Sequence, residues 1–373
     1  MTFKEAMEHY RAGTASDEER QLVEQELEKS RLIAEYLDEQ WEAEVPVQPA
    51  PQEEMQQLRK NLRARNAMIV LTSLVLAAVL FLGIVYVGIP AAESLYWDPT
   101  VTSYCNPQQT DTEIMFAAYT ELFCPDINLS NVTVSKSGFA KYDLNIQYWN
   151  NHQGGDTHFA SGTIERGDLT LPTGLLRYCP INIFDRSTYP FFSAEKDHLQ
   201  QIHDRLSALP PYVTLVAAVS FPEDKSMAEV LAFNDGLVDG HIGWTAIRNG
   251  PLNIQTYPLC GMNIYHWGTL REDLNTFYPC FDIKSVDKTP ENLEAHFKAL
   301  LQFSADQIAN GTGIAPARAE SMEGYFTDVL NYVEENGIYS YGCYVVGTPE
   351  TFLELLQNGS VTHIWIEDIW INP

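Results

Sequence analysis

No cysteine precedes Cys105, although the 373-residue chain contains six. The first hundred residues therefore lack the thiolates of a zinc knuckle, and His9 is the one imidazole among them. Basic side chains are also scarce, with 23 Lys and Arg against 50 Asp and Glu and a formal net charge of −27. That balance argues against direct binding to nucleic acid, whose phosphates call for Lys and Arg. The chain has no Gly-x-Ser-x-Gly elbow, no His-Glu-x-x-His motif and no phosphate-binding glycine loop. Neither an enzymatic activity nor a cofactor is expected.

One stretch lacks charge altogether. Ala67 to Ile89 reads AMIVLTSLVLAAVLFLGIVYVGI. As a helix at 1.5 Å per residue it is about 34 Å long, enough for a hydrocarbon core of roughly 30 Å. It starts far from Met1 and exceeds the apolar length of a cleaved signal peptide. A transmembrane helix over 67–89 is the expectation. Arg59, Lys60, Arg63 and Arg65 precede it, and the next basic residue is Lys136. Positive charge flanking a span stays in the cytoplasm, so the N-terminus is expected inside and the C-terminal region outside, at the cell membrane. Tyr86, Tyr96 and Trp97 suit an aromatic belt at the outer interface, or packing.

Charge divides unevenly around the span. Residues 1–45 hold five basic and thirteen acidic side chains, 5 − 13 = −8. Residues 46–66 sum to 4 − 2 = +2, and residues 90–373 to 14 − 35 = −21. An acidic head favours a basic protein partner by field complementarity.

That head reads as two helices. Thr2 with Glu5 forms a capping box, Phe3, Met7 and Tyr10 share a face, and Gly13 is placed to end the first helix. Ser16 with Glu19 opens a second helix, about 26 residues long. Its apolar stripe runs through Val23, Leu27, Ala34, Leu37 and Trp41, widened by Leu22, Ile33 and Tyr36. So small a unit has little core of its own. The candidate partner-binding residues are Tyr10, Val23, Leu27, Ala34, Leu37 and Trp41, bound as a helix in a groove or paired in a homodimeric coiled coil. Residues 46–58, with Pro46, Pro49 and Pro51, read as a linker, and 53–66 as a helix running into the span.

Beyond the span, residues 100–192 read as short strands with turns. Val132, Val134, Tyr142, Leu144, Ile146 and Tyr148 alternate around a hairpin turn at Ser137-Gly138. Helices are expected at 193–209, 289–310 and 322–336. Two stretches share one pattern: YVTLVAAVSF, SMAEVLAFNDG, HIGWTAIRNG, and then YSYGCYVVGT, PETFLELLQNG, HIWIEDIWIN. Each is a strand, a helix opened by Ser226 or by Thr348-Pro349, and a strand. The expected fold class is α+β with repeated β-α-β units, one sheet covered by helices. Similar units of separate origin would look the same. All six cysteines lie on the expected oxidising side, where at least one disulfide is expected and buried free thiols are the alternative. His152, Asp156 and His158 on NHQGGDTH form either a metal site or a solvated loop, the loop being favoured and no metal expected.

The head carries a resemblance. Tyr10 to Glu39, YRAGTASDEERQLVEQELEKSRLIAEYLDE, resembles the N-terminal segment of the sigma factor regulator family, membrane-anchored anti-sigma factors of Gram-positive bacteria. The matching positions are Tyr10 and Gly13, then Ser16, Glu18 and Glu19, then Glu24, Glu26, Leu27, Glu28 and Lys29, and finally Tyr36, Leu37 and Asp38. Ser220-Phe221, Trp244 and Val346-Gly347-Thr348 match the family's C-terminal domain. The resemblance implies an extracytoplasmic-function-type sigma factor as cytoplasmic partner, held without zinc and released on an envelope signal. It supplies no ligand for the outer domain. The competing expectation is a membrane-anchored enzyme or adhesin whose N-terminal segment is only an anchor.

Overall fold

The computed structural model describes residues 3–42, 52–103, 106–125, 127–150, 157–171, 183–184, 196–251, 259–264, 272–309 and 324–371. The chain divides into two compact units, Met1–Ile84 and Val85–Pro373.

In the first unit, α1 (Phe3–Arg11) and α2 (Asp17–Glu42) form a helical hairpin. The long helix α3 (Gln52–Gly83) follows. A π-helical turn at Ile84–Gly88 and a short α4 (Ile89–Glu93) extend it. Pro90 stands in the first turn of α4 and has no N–H for the carbonyl four residues earlier, which accounts for the π turn just before it. The helical stretch Met55–Glu93 is long and apolar enough to cross a membrane, and its apolar stretch is not buried against protein. Within it, Thr72 turns its hydroxyl back to the Met68 and Ile69 carbonyls, both at 2.9 Å, which pairs that hydroxyl inside the helix.

The second unit contains two main sheets. One is four-stranded and antiparallel, in the order β3 (Ile127–Gly138), β4 (Lys141–Asn150), β5 (Thr157–Glu165), β6 (Asp168–Thr170). A two-stranded ribbon of β1 (Thr102–Ser103) and β2 (Asn106–Thr110) precedes it. The β3–β4 hairpin forms as its alternation predicts. Its turn is Phe139-Ala140, with Gly138 paired to Lys141, two residues beyond the expected Ser137-Gly138.

Residues 100–192 are not all strand and turn. Helix α5 (Asp111–Phe123) interrupts them, capped by the Thr110 side chain on the Glu113 amide. Every residue from Thr112 to Phe123 is buried, so α5 has no polar face and shows no helical stripe in the sequence.

The second sheet has five antiparallel strands in the order β11-β7-β10-β8-β9. They are β7 (Val213–Ser226), β8 (Gly240–Ile247), β9 (Cys260–Asn263), β10 (Tyr339–Gly347) and β11 (His363–Ile371). Helix α7 (Met227–Asp235) links β7 to β8, and α10 (Pro349–Gln357) links β10 to β11. These two strand–helix–strand segments interleave. Strand β10 lies between β7 and β8, and β7 lies between β10 and β11. Both linking helices open on capping boxes, Ser226 with Glu229 and Thr348 with Thr351. The other helices are α6 (Lys196–Ser207), α8 (Pro290–Ala309) and α9 (Tyr325–Asn336), close to their expected bounds.

Strand β7 is apolar on both faces because both are covered. Leu215, Ala217 and Val219 join the main core with Leu122, Ile242, Phe297 and Phe352. Val216 and Ala218 pack with Trp244, Tyr341, Tyr344 and Phe184. The unit is an α+β fold, with a second sheet beside the expected one. Cys260, Cys280 and Cys343 are free thiols. Cys105 and Cys179 lie outside the described residues, and with them any disulfide that they form.

Candidate partner-binding surface

Local chemistry sets the geometry of the head. Helix α1 ends in a Schellman motif: Gly13 takes φ +73°, its amide donates to the Tyr10 carbonyl at 3.2 Å, and the Thr14 amide donates to the His9 carbonyl at 3.0 Å. Helix α2 opens on the capping box read from the sequence. The Glu19 amide donates to Ser16 Oγ at 3.3 Å, and the Ser16 amide donates to Glu19 Oε2 at 2.8 Å. The other Glu19 oxygen, Oε1, is 2.9 Å from His9 Nδ1, which ties the start of α2 to the end of α1. The Ser16 amide first, and then His9, hold the Glu19 carboxyl below the usual carboxylate range.

The structure divides the six candidate residues. Val23 is 0% exposed, buried with Ala6 where α1 lies on α2. Its place in the stripe is an internal contact, unlike the exposed position expected for it. Tyr10 is half-buried at the end of α1. Leu27 is 48% exposed, Leu37 is 51% exposed, and Ala34 is exposed. Leu32, Ile33 and Tyr36 stand open beside them. Trp41 is in the last turn of α2, and its side chain lies outside the described atoms. From Leu27 to Gln40 no residue of α2 is covered. The hairpin thus uses one end of the stripe for itself and leaves the other free. Fully burying one such leucine is worth about 1.5–3 kcal/mol.

Sequence reasoning missed a buried polar junction in the second unit. His296 of α8 is 0% exposed. Its Nε2 is 2.8 Å from Glu121 Oε1, and its Nδ1 is 2.8 Å from the Cys280 carbonyl. Both ring nitrogens face acceptors, the arrangement of an imidazolium. Burial alone would lower the His296 pKa; the Glu121 charge, its hydrogen bond and the Cys280 carbonyl outweigh that and raise it. Glu121 Oε1 also accepts the Asn263 amide at 3.3 Å, and the Glu121 carbonyl accepts the Trp244 indole N–H at 2.7 Å. One residue of α5 therefore ties together α8, β8 and β9. Nearby, Arg248 grips Asp224 in a two-pronged ion pair and lies 4.9 Å from the centre of the Tyr341 ring. The Glu121, His296 and Arg248 side chains are buried, and Asp224 is partly exposed.

The other sequence candidates separate as follows. His152 and Asp156 lie outside the described residues, while His158 packs its ring against Tyr148 at 5.5 Å. Among the described residues no cluster of His, Cys, Asp and Glu could hold a metal ion. Ser220 offers its carbonyl to the Thr362 amide at 2.9 Å, Trp244 is buried, and Thr348 caps α10. Compared with protein-family models, with curated proteins and with solved structures, the chain has no match.

Proposed function

We propose that the chain is a membrane-anchored anti-sigma factor whose cytoplasmic head binds a sigma factor without zinc. The observation that carries this reading is the uncovered half of α2. Leu27, Ile33, Tyr36 and Leu37 stand exposed on a helix rich in Glu. An apolar strip with an acidic rim suits a groove on a basic protein. The resemblance of Tyr10–Glu39 to the sigma factor regulator family names the class of that protein. The basic cluster Arg59–Arg65 before the apolar helix supports a cytoplasmic head and an outer α+β domain. The interleaved strand–helix–strand segments are, on this reading, the repeated units of the family's C-terminal domain. The sigma factor would be sequestered at the membrane and released on an envelope signal.

The test is a titration of residues 1–66 against candidate sigma factors, with and without chelator, together with sedimentation of the head alone. Tight binding to one sigma factor, unchanged by chelator, is the expected result. A head that ignores every sigma factor and forms a stable dimer would replace this reading with the coiled coil.

A further inference from the structure

The second unit begins at Val85 and so includes the last turns of the apolar helix. The chain that leads from those turns to the four-stranded sheet is tied down. The Tyr96 amide donates to the Glu93 carbonyl at 2.9 Å, and Trp97 packs against the main core. Asp98 accepts the Thr100 amide at 2.9 Å and the Thr100 hydroxyl at 2.7 Å. Glu93, which ends α4, also holds the β3–β4 turn: Lys136 Nζ donates to it at 2.6 Å and the Ala140 amide at 3.2 Å. The Arg166 amide donates to the Ala140 carbonyl at 2.7 Å, which sets the β5–β6 turn alongside.

Three apolar side chains stand open at this junction. Leu95 is 82% exposed. Phe139 is 42% exposed and Tyr96 37%, although their rings meet edge-on with centroids 6.2 Å apart. Single exposed apolar residues are ordinary on a surface in water. The level at which these three stand is the informative feature. A hydrocarbon core crossed by residues 67–89 ends near Ile89. Glu93 lies four residues further, about 6 Å along a helix. The headgroup layer on each side is roughly 5–8 Å thick, so Glu93 stands within it. Phe139 precedes the residue whose amide Glu93 accepts, and Leu95 follows Glu93 by two positions, so both stand at that level too. Rings with an apolar body and a wet edge favour this layer.

Charge agrees. Residues 90–373 carry −21, yet their first three basic side chains, Lys136, Lys141 and Arg166, all stand at these two turns. Residues 93–98, 136–141 and 165–168 together sum to 3 − 4 = −1. An anionic leaflet would repel most of so acidic a unit, but this end is nearly neutral and offers cations to phosphate.

We infer that the β3–β4 turn is a second membrane contact, with Phe139, Tyr96 and Leu95 seated in the headgroup layer where the apolar helix leaves the bilayer. The inference rests on that helix crossing a membrane and is independent of what α1 and α2 bind. The test uses the full chain in vesicles of phosphatidylcholine and phosphatidylglycerol. The photoreactive residue p-benzoylphenylalanine replaces Phe139, Leu95, Phe81 or Phe159, one at a time. Phe81 lies in the apolar helix. Phe159 is 75% exposed and six residues along β5 from Glu165, about 20 Å at strand rise. Leu95 probes the same level as Phe139 and leaves the turn unaltered. Each variant should melt like the parent, because all four side chains are exposed. After illumination, lipid adducts should form at Phe81, Phe139 and Leu95 and be about tenfold rarer at Phe159, which water surrounds. Adducts at Phe81 with none at Phe139 would overturn the inference and leave the spanning helix standing. No adduct at Phe81 would remove the spanning helix, and the inference with it. Equal labelling of Phe139 and Phe159 would overturn it as unspecific contact. Covalent dimers in place of lipid adducts at Phe139 would also overturn it, by assigning the turn to a second copy.

Discussion

Glu93 and Lys136 form an ion pair of 2.6 Å between the last turn of α4 and strand β3. The same carboxylate receives the amide of Ala140, a residue held at φ +43° in the hairpin turn. The helix end and the hairpin tip are therefore fastened by a charge and by a backbone donor at once. The Lys136 hydrogen bond first, and then the Ala140 amide, lower the Glu93 pKa, while the Glu93 hydrogen bond raises that of Lys136.

This clamp should respond to pH at both ends. A lowered carboxyl pKa contributes stability above the ordinary value of 4.5 and loses it as pH falls further. A raised lysine pKa contributes below 10.5 and loses it as pH rises further. Between those limits Glu93→Ala should speed hydrogen exchange of the Ala140 amide in the full chain. Unchanged exchange at Ala140 would show that the hairpin holds itself.

In the head, Val23→Ala and Leu27→Ala should act on different quantities. Val23 is buried, so its truncation should cost on the order of 1–2 kcal/mol of folding stability, seen as an earlier loss of helical circular dichroism. Leu27 is exposed, so its truncation should leave that melt in place. It should instead weaken sigma-factor binding about thirtyfold, or ~2 kcal/mol. Equal effects of the two variants on melting would contradict this division.

Acid should open the hairpin at its capping box. Glu19 is held below 4.5 by Ser16 and His9, so its contribution is present above that value and disappears as pH falls through its lowered pKa. Glu19→Gln should flatten the acid limb of a helicity titration of residues 1–45. An acid limb identical to the parent's would assign the transition to other carboxylates.

The Glu121–His296 pair should be costly to break from one side. Removing one member of a buried pair costs about 3–5 kcal/mol, whereas replacing both with apolar groups of similar volume can be near neutral. Glu121→Leu should therefore destabilise the second unit more than Glu121→Leu with His296→Phe. The pair stabilises fully below the ordinary histidine value of 6.5, and this is lost as pH rises through the raised pKa of His296. Melting from pH 6 to 9 should fall more steeply in the parent than in the double variant; parallel curves would remove His296 from the account.

What short-range chemistry controls is legible in the sequence. Gly13, Ser16 with Glu19, Ser226 and Thr348-Pro349 mark helix ends because a cap is a bond between residues a few positions apart. The apolar run after Arg65 and the alternation through Tyr142–Tyr148 are legible for the same reason: each pattern lies within one element. Helix α5 was not legible, because burial on all sides erases the contrast between faces on which periodicity depends. Nor was the exposure of the α2 stripe, since Val23 and Leu27 are alike in sequence and only the placement of α1 separates them. Strand order and the Glu121–His296 junction, whose partners are 175 residues apart, were decided by tertiary structure alone. A strand does not encode its neighbours, and a buried charge is tolerated only where the whole fold brings its partner.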